Sequence, residues 1–230
     1  MQTTKILRIG HRGAMGHITE NTISSIKKAL ELNCDMIEID VYRIKSGELM
    51  VFHDHTLDRL TDKKGNIEDY SFKELRDIKI NNNHLIPTLQ EVIETIQRKA
   101  ILNIELKGSN TAIGSYKIIE KYIEKGWTKE DFVISSFRWD ELEIISQQKT
   151  SIPIAVLIGQ EPINSILPFA LKLNAAAINP YYKLLTIDNV KAIKDLGLKI
   201  YPWTVNNTSD IQLLKELKVD GIITNFPEKV

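Results

Sequence analysis

Short apolar runs recur along the chain, and amphipathic stretches separate most of them. Eight of these runs read as strands, and they cover residues 5–10, 36–43, 100–107, 132–137, 152–158, 175–180, 198–205 and 220–225. Strands that alternate with helices are typical of a parallel sheet. For a chain of 230 residues, this rhythm predicts an α/β fold in which eight parallel strands form a (β/α)8 TIM barrel.

The stretches between the runs repeat apolar residues every three to four positions, which predicts helices with one face on the core. In the segment TENTISSIKKALELN, for example, Ile23, Ile26 and Leu30 fall on one stripe. A Thr or Ser before such a stretch can accept hydrogen bonds from the first free backbone N–H groups of the helix. We expect caps of this kind at the positions Thr19, Thr186 and either Thr208 or Ser209.

Two segments depart from this rhythm. After the second run, residues 44–54 hold another apolar stretch, LMVF, with no room for a crossover helix. The two runs should therefore form an antiparallel hairpin that turns near Ser46-Gly47 and returns His53 to the level of Asp40. The polar segment 55–87 has only a short helical pattern, SFKELRDI. We interpret it as an insertion, and a lid is one hypothesis for its role.

Composition limits the classes of protein to which the chain can belong. Its 30 Lys and Arg balance its 30 Asp and Glu, which argues against a nucleic-acid groove. No stretch approaches the roughly 18 consecutive apolar residues of a membrane span, and the first residues lack the apolar core of a signal peptide. The single Cys34 suits a reducing compartment. We therefore expect one domain, residues 1–230, in the cytoplasm.

Polar residues that a barrel core would exclude stand in or at the ends of several runs. Glu38 and Asp40 alternate with apolar residues in the second run, so both side chains should point to the same face. The third run shows the same alternation at Glu105 and Lys107. The full set of candidates is His11, Arg12, Glu38, Asp40, His53, Glu105, Lys107 and Trp203. Because the catalytic groups of a barrel lie at the carboxyl ends of its strands, we expect these side chains to meet at one mouth.

These residue types together predict a chemistry. Three carboxylates at one mouth would repel each other, and oxygen ligands on rigid strands suit a hard divalent cation such as Ca²⁺ or Mg²⁺. Two imidazoles can donate and accept protons near neutral pH, while Arg12 and Lys107 could hold a phosphate. The pattern therefore indicates metal-assisted cleavage of a phosphate ester.

Each residue taken alone also has a structural interpretation. Glu105 and Lys107 could form an ion pair, and Glu38 and Asp40 could line an exposed strand face. A lone histidine after a strand is more often structural than catalytic. Trp203 could cap the core or form a wall for the substrate. The combination of several polar motifs, each at the end of a separate run, favours the catalytic interpretation.

Several stretches resemble the glycerophosphodiester phosphodiesterase family. The matching stretches are GHRG, ENT, EIDV, VFHD, LDR, IPTLQEV, NIELK, SSF, WTVN and DGIITN, and they run from the first strand to the last. The resemblance implies a barrel enzyme that hydrolyses glycerophosphodiesters to glycerol 3-phosphate and an alcohol. It also implies a divalent metal, commonly Ca²⁺ or Mg²⁺. Under this resemblance Glu38, Asp40 and Glu105 would bind the metal, and His11 and His53 would act as the acid and base.

The resemblance gives roles to further positions. Arg12 and Lys107 would hold the phosphate, and Trp203 would line the pocket for the alcohol. Glu20 and Asn21, in the motif ENT, would support the first loop near the site. The last motif has an Asn after Thr224 where the family often has an Asp, and we expect this difference to alter a hydrogen bond at the rim.

Alternatives stay open for the reaction and the assembly. The nucleophile could be a neighbouring glycerol hydroxyl or a water. A lysophospholipase D acting on single-chain lipids would need an apolar groove at the mouth, and a non-catalytic, metal-dependent phosphodiester-binding protein could share the fold. The segment after Asn225 is too short for a full final helix. Either that surface is thinly covered, or a second copy of the chain covers it in a homodimer.

Overall fold

The computed structural model describes residues 5–148 and 150–230. Its strands are β1 (Leu7–Gly10), β2 (Met36–Arg43), β3 (Leu49–Val51), β4 (Lys79–Ile80), β5 (His84–Leu85), β6 (Ile101–Leu106), β7 (Phe132–Ser136), β8 (Ile154–Ile158), β9 (Ala177–Pro180), β10 (Lys199–Ile200) and β11 (Gly221–Thr224). Eight of them are neighbours in the order β10-β9-β8-β7-β6-β2-β1-β11, and they pair in parallel. Backbone bonds from Asp220 N–H to Ile200 C=O and from Ile223 N–H to Pro202 C=O join the two ends of this order. The predicted (β/α)8 barrel is confirmed.

Helices cover the outside of the barrel. They are α1 (Ile23–Glu31), α2 (Phe72–Arg76), α3 (Leu89–Ile96), α4 (Ala112–Glu124), α5 (Trp139–Gln147), α6 (Ile163–Lys172), α7 (Ile187–Asp195) and α8 (Thr208–Glu216). After β11 comes a 3-10 helix, Pro227–Lys229, and Val230 packs against the hydrophobic core, so the chain itself covers part of the surface there. Within the described ranges, none of the helices combines the length and the apolar character needed to cross a bilayer.

Alternation along the strands sorts the barrel side chains into two sets. One set, which includes Ile37, Ile39 and Ile104, belongs to the large buried cluster shared with the helices. The other set points into the barrel and forms a separate apolar cluster with Ile9, Met36, Val133, Ala155, Ala177, Tyr201 and Ile223 among its members. Neighbouring residues point to opposite faces of a strand, so Glu38 and Asp40 share the inner face with Met36.

The predicted hairpin after the second strand is confirmed. β3 pairs antiparallel with β2, with Val51 opposite Val41. The turn uses Gly47 at φ +104°, a backbone conformation that glycine adopts without strain. Beyond β3, Phe52 N–H donates to Asp40 C=O at 3.0 Å. This bond holds the following His53 close to the level of Asp40.

The segment between β3 and α3 has its own small core. Its apolar residues pack together and against Tyr42 and Phe52, and they include Leu57, Ile67, Leu75, Ile80 and Ile86. α2 lies where the pattern SFKELRDI predicts a helix. The antiparallel pair β4–β5, with Ile80 opposite His84, was not predicted. The segment is therefore a folded excursion on the barrel.

The helix caps agree with the sequence at one of three positions. Thr186 caps α7 by accepting a hydrogen bond from Asn189 N–H. At α1 the cap is Thr22 instead of Thr19, because the hydroxyl of Thr22 accepts from Ser25 N–H at 3.1 Å. α8 begins at Thr208, so that residue is inside the helix and Asn207 precedes it.

Candidate active site

The carboxyl ends of the strands surround a cavity of about 90 Å³. All of the sequence candidates line it except Asp40, which lies beside it. β1 delivers His11 and Arg12, β2 delivers Glu38, and β6 delivers Glu105 and the following Lys107. The barrel therefore brings together residues that are far apart in the chain.

Three carboxylates form a compact cluster at the bottom of this mouth. Asp40 on β2 stands opposite Glu105 on β6 in the parallel register, and Glu38 precedes Asp40 by two residues on the same inner face. One oxygen from each carboxylate lies within 4.8 Å of the other two. All three side chains are buried, and Glu38 Oε1 has no hydrogen-bond partner among the residues that the structure describes.

The protonation of this cluster reflects its crowding. Burial, Asp40 and Glu105 together raise the pKa of Glu38 well above its usual value. Burial and the neighbouring Asp40 raise the pKa of Glu105 to about 7, although Lys107 opposes the shift. Carboxylates that destabilise each other when charged, and whose oxygens converge, fit a hard divalent cation. The donor set is therefore suited to a divalent metal ion.

His11 leaves β1 with its ring held by the last strand. Its Nδ1 lies 2.7 Å from Asn225 Oδ1, and an amide oxygen can only accept, so Nδ1 carries the proton. Nε2 faces the cavity, 4.0 Å from Glu38 Oε2. Burial, followed by the charge of Arg12, lowers the pKa of His11 to about 4. The imidazole is therefore neutral at physiological pH, with Nε2 ready to accept a proton.

His53 is oriented by two partners. Its Nδ1 lies 2.7 Å from Asp54 Oδ1, and its Nε2 lies 3.2 Å from Lys107 Nζ. Because an ammonium group can only donate, Nδ1 carries the proton and Nε2 is the acceptor. Burial is the main reason that the pKa of His53 is lowered. Both histidines thus present Nε2 to the same cavity.

Arg12 and Lys107 supply positive charge next to the carboxylates. Arg12 Nη1 donates to Glu20 Oε1 at 2.7 Å, and Arg12 Nε lies 3.3 Å from Asp40 Oδ2. Lys107 Nζ lies 3.0 Å from Glu105 Oε1, so the ion pair considered as a structural interpretation is also present. Both cations line the cavity, where an anionic ligand would meet them.

The motif ENT, residues 20–22, supports the loop that carries Arg12. Besides its bond to Arg12, Glu20 accepts two hydrogen bonds from Arg59. Asn21 Nδ2 donates to Asp40 Oδ2 at 2.8 Å, which fixes the carboxylate that neighbours Glu105. The first loop is therefore bonded to both the carboxylate cluster and the inserted segment.

An apolar wall closes one side of the cavity. The rings of Phe137 and Trp203 meet edge to face with their centroids 5.2 Å apart, and Leu157 also lines the cavity. Trp203 Nε1 donates to the backbone oxygen of Asn179 at 2.8 Å, which fixes the indole in place. Phe137 is half-exposed at the rim.

Sequence reasoning gave no role to five residues of the site. Asp54 and Arg59 follow His53 in the motifs VFHD and LDR, and their spacing could have signalled a partner for the imidazole. Asn103 and Ser135 are polar residues on the inner faces of β6 and β7. Asn103 precedes Glu105 by two residues, so alternation alone indicated that it shares that face. For Phe137 the only signal was its place in the motif SSF.

Fold and site together define a parallel (β/α)8 barrel whose mouth joins a buried carboxylate cluster to two imidazoles and two cationic side chains. The chain belongs to the glycerophosphoryl diester phosphodiesterase family, because the model of that family matches residues 11–229.

Individual relatives agree with this assignment. The chain is 36% identical over 239 residues to a glycerophosphodiester phosphodiesterase of Caldanaerobacter subterraneus subsp. tengcongensis, with 97% of this chain and 96% of the relative covered. A glycerophosphodiester phosphodiesterase of Bacillus subtilis (strain 168) is 30% identical over 252 residues, with 97% and 85% covered. A phosphodiesterase of Oleispira antarctica, solved in complex with the product sn-glycerol-3-phosphate, superposes with a TM-score of 0.86 at 27% identity, with 96% and 93% covered.

Proposed function

We propose that this protein hydrolyses glycerophosphodiesters to glycerol 3-phosphate and an alcohol with the help of a divalent cation. The observation that carries the proposal is the convergence of Glu38, Asp40 and Glu105 at one cavity, which is lined by two of these carboxylates, two imidazoles, Arg12 and Lys107. The similarity to glycerophosphodiester phosphodiesterases along nearly the whole chain supports it. The ligand named for the Oleispira antarctica structure is a glycerol phosphate, which fits the same reaction.

Glu38, Asp40 and Glu105 would hold the cation, and Ca²⁺ or Mg²⁺ suits a donor set made only of carboxylate oxygens. When bound, such a cation offsets the negative charge that develops on the phosphate oxygens as the ester bond breaks. The neighbouring Asn21 keeps the carboxylate of Asp40 oriented through its hydrogen bond.

Arg12 and Lys107 would hold the phosphate group. Both side chains are buried enough to be weakly screened by solvent, and both are already positioned by carboxylates, Arg12 by Glu20 and Lys107 by Glu105. Charge-assisted hydrogen bonds from such groups are stronger than those between neutral partners. Trp203 would line the neighbouring pocket for the alcohol of the diester.

His11 and His53 would move the protons. One Nε2 accepts the proton of the attacking hydroxyl while the new P–O bond forms. That hydroxyl belongs to a water, which gives glycerol 3-phosphate directly, or to the neighbouring glycerol carbon, which gives a cyclic phosphate that a water then opens with the two histidines in exchanged roles. The other imidazole, protonated when the anionic phosphate raises its pKa, donates its Nε2 proton to the leaving alcohol oxygen as the old P–O bond breaks. The orientation of each ring by Asn225 or Asp54 directs both Nε2 atoms into the cavity.

The first test is a panel of substrates. Glycerophosphodiesters with different alcohols and single-chain lysolipids are assayed with Ca²⁺, Mg²⁺ and excess chelator, and release of glycerol 3-phosphate is measured. We expect release from the glycerophosphodiesters that depends on the added cation. Full activity after exhaustive chelation would refute the metal dependence, and turnover of the lysolipids alone, with release of lysophosphatidic acid, would favour a lysophospholipase D.

The second part of the test concerns the histidines. We expect His11→Ala and His53→Ala each to lower kcat by about 10²- to 10⁴-fold with normal folding, because a positioned acid or base contributes on that scale. The double variant should not be proportionally worse. A p-nitrophenol leaving group, which needs no proton, should restore activity to the variant that lacks the general acid. Near-normal turnover by both single variants would favour the non-catalytic binding protein.

A location in the cytoplasm and a homodimer stay predictions. The location is supported by the single thiol, Cys34, which is buried. Light scattering at high protein concentration tests the homodimer directly.

A further inference from the structure

Two buried polar side chains that line the cavity take no part in the mechanism described so far. Asn103 on β6 and Ser135 on β7 are 1% and 0% exposed, and we call this pair the polar floor. Asn103 Oδ1 and Ser135 Oγ both lack a hydrogen-bond partner among residues 5–148 and 150–230. Their inward-facing neighbours one step lower on the strands are apolar, for example Val133 on β7.

The polar floor adjoins the carboxylate cluster. In the parallel register Asn103 stands beside Glu38, and Ser135 stands beside Glu105. Both polar residues line the same cavity as Arg12 and the two histidines. A ligand whose phosphate lies between the cationic side chains therefore has its adjoining atoms within reach of this floor.

Unpartnered polar atoms at this depth need an explanation. A buried hydroxyl or amide without a partner destabilises a protein relative to an apolar side chain of the same shape. The inner faces of neighbouring strands show that apolar residues fit here, since Ala155 and Ala177 occupy equivalent positions in the register beside Ser135. The polar atoms are thus free to bond a ligand that enters the cavity.

The chemistry of the floor selects the kind of group. The Asn103 side chain accepts through Oδ1 and donates through Nδ2, and the Ser135 hydroxyl likewise donates and accepts, whereas an ionised phosphate oxygen only accepts. This pair is complementary to alcohol hydroxyls, which also do both. Phe137 and Leu157 stand one step nearer the carboxyl ends of β7 and β8 than Ser135 and its register partner Ala155, and together with Trp203 they offer no such partners.

From this placement we infer that Asn103 and Ser135 bind the free hydroxyls of the glycerol moiety and thereby set the preference for glycerophosphodiesters over other phosphodiesters. The inference rests on the proposed function, and it adds two specificity-determining residues to it. The alcohol on the other side of the phosphate would then point away from the floor, towards the wall and the rim.

The test compares two ligands that differ only in hydroxyl groups. Binding of glycerol 3-phosphate and of n-propyl phosphate is measured by titration calorimetry in buffer with saturating Mg²⁺, for the wild type and for Ser135→Ala and Asn103→Leu. We expect each variant to bind glycerol 3-phosphate on the order of 3- to 10-fold more weakly, the value of one neutral hydrogen bond, with n-propyl phosphate unchanged. Melting curves verify that both variants are folded.

The chain offers a matched control in Ser115 on α4. Ser115 is 0% exposed, and its Oγ also lacks a partner within the described ranges, but it lies in the layer between barrel and helices. Ser115→Ala should change the affinity for neither ligand. Equal weakening of both ligands by Ser135→Ala and Asn103→Leu, or no change in either, would overturn the inference.

The failure of this inference is separable from that of the proposed function. Turnover of a glycerophosphodiester by the wild type is measured in the same buffer. Turnover together with unchanged ligand selectivity in Ser135→Ala and Asn103→Leu refutes the polar floor alone. Absence of turnover refutes the proposed function, whichever ligand the floor selects.

Discussion

Asn225 gives His11 a partner that accepts a hydrogen bond without bringing a charge. The 2.7 Å contact fixes the ring, yet a neutral amide offsets little of the cost of burying an imidazolium, so the pKa of His11 is lowered to about 4. A carboxylate at this position would orient the ring in the same way. It would also stabilise the protonated imidazole.

This difference predicts the effect of Asn225→Asp. The new carboxylate favours the charged form of His11, so the pKa of His11 rises. The limb of the pH–rate profile of kcat/KM that belongs to His11 should therefore move to higher pH. If His11 is the base, activity at pH 5 falls relative to activity at pH 8, because a larger fraction of His11 is protonated there.

The control for Asn225→Asp is Asn174→Asp, which adds the same charge at an exposed position in the loop before β9. This control substitution should not shift the pH–rate profile of kcat/KM. A profile that is identical in Asn225→Asp and the wild type would contradict the assignment of His11 to either limb.

At the residue scale, the sequence predicted which side chains lie together in the site, but it did not predict their hydrogen-bond partners. Glu38 and Asp40 were readable because strand alternation is local. The contact between His11 and Asn225 joins residues 214 positions apart, and only the closure of the barrel brings them together. Pattern reasoning on one sequence does not supply such distances.

At the scale of elements, Arg59 bonds the inserted segment to the loops that carry Arg12 and His53. Its guanidinium donates to both oxygens of Asp54, at 2.6 and 3.0 Å, and to both oxygens of Glu20, at 3.0 and 2.8 Å. Asp54 in turn contacts His53, and Glu20 contacts Arg12. One side chain of the insertion thus orients an acid/base candidate and a phosphate-binding candidate together.

Arg59→Met should lower kcat by roughly ten- to a hundredfold, because a catalytic group that is displaced by about 1 Å loses activity on that scale. Asp54 would lose the hydrogen bonds that lower its pKa to about 2 and would no longer hold the ring of His53 firmly. In an Asp54→Asn background, Arg59→Met should have a smaller effect on kcat, since the two residues act as a unit. Steady-state kinetics on the four proteins measure this coupling.

Arg76 provides the matched control. It also joins the insertion to the barrel, through contacts with both oxygens of Glu91 at 3.1 Å, but it is not bonded to the acid/base candidates His11 and His53. Arg76→Met should leave kcat near the wild-type value. Equal losses of kcat in Arg59→Met and Arg76→Met would mean that the insertion matters only for folding.

The bounds of the elements were predictable where the pattern was long. The run 36–43 coincides with β2, whereas the run 198–205 holds only the two-residue β10, because Pro202 has no N–H to continue the ladder. The strands β4 and β5 have two residues each, too few to show alternation. The cap of α1 is Thr22, where a reciprocal pair of hydrogen bonds forms with Ser25.

For the molecule as a whole, the carboxylate cluster links stability to a bound cation. In the metal-free protein, burial and mutual repulsion disfavour the charged forms of Glu38 and Glu105. A cation at about 100 times its Kd stabilises the folded state by about 2.7 kcal/mol. For a domain of this size that corresponds to a rise in Tm of about 5 to 10 °C.

Glu105→Gln should remove most of this rise, because an amide oxygen is a weaker ligand and carries no charge. Differential scanning calorimetry at pH 8, with chelator and with Mg²⁺ or Ca²⁺, measures the difference. Near pH 6 the rise in Tm of the wild type should shrink, since Glu105, whose pKa is raised to about 7, must release a proton before it binds metal.

Glu141→Gln is the matched control. Glu141 is also buried, but it lies outside the barrel and accepts hydrogen bonds from the backbone N–H groups of Asn110 and Ala112. This variant should have a lower Tm and keep the full rise on addition of the cation. A rise of equal size in Glu105→Gln would contradict the assignment of Glu105 as a ligand.

The separation of the barrel interior into an apolar lower part and a polar mouth has an evolutionary consequence. The lower cluster, which includes Ile9, Met36 and Val133, contains none of the proposed acid/base, metal-binding or phosphate-binding residues, and of the apolar wall only Trp203 packs against it. Substitutions at the apolar wall, such as Phe137 and Leu157, can therefore alter which alcohol is accepted while the packing that keeps the barrel folded is left intact. The choice of alcohol can therefore change in evolution through substitutions at the rim, without loss of the fold.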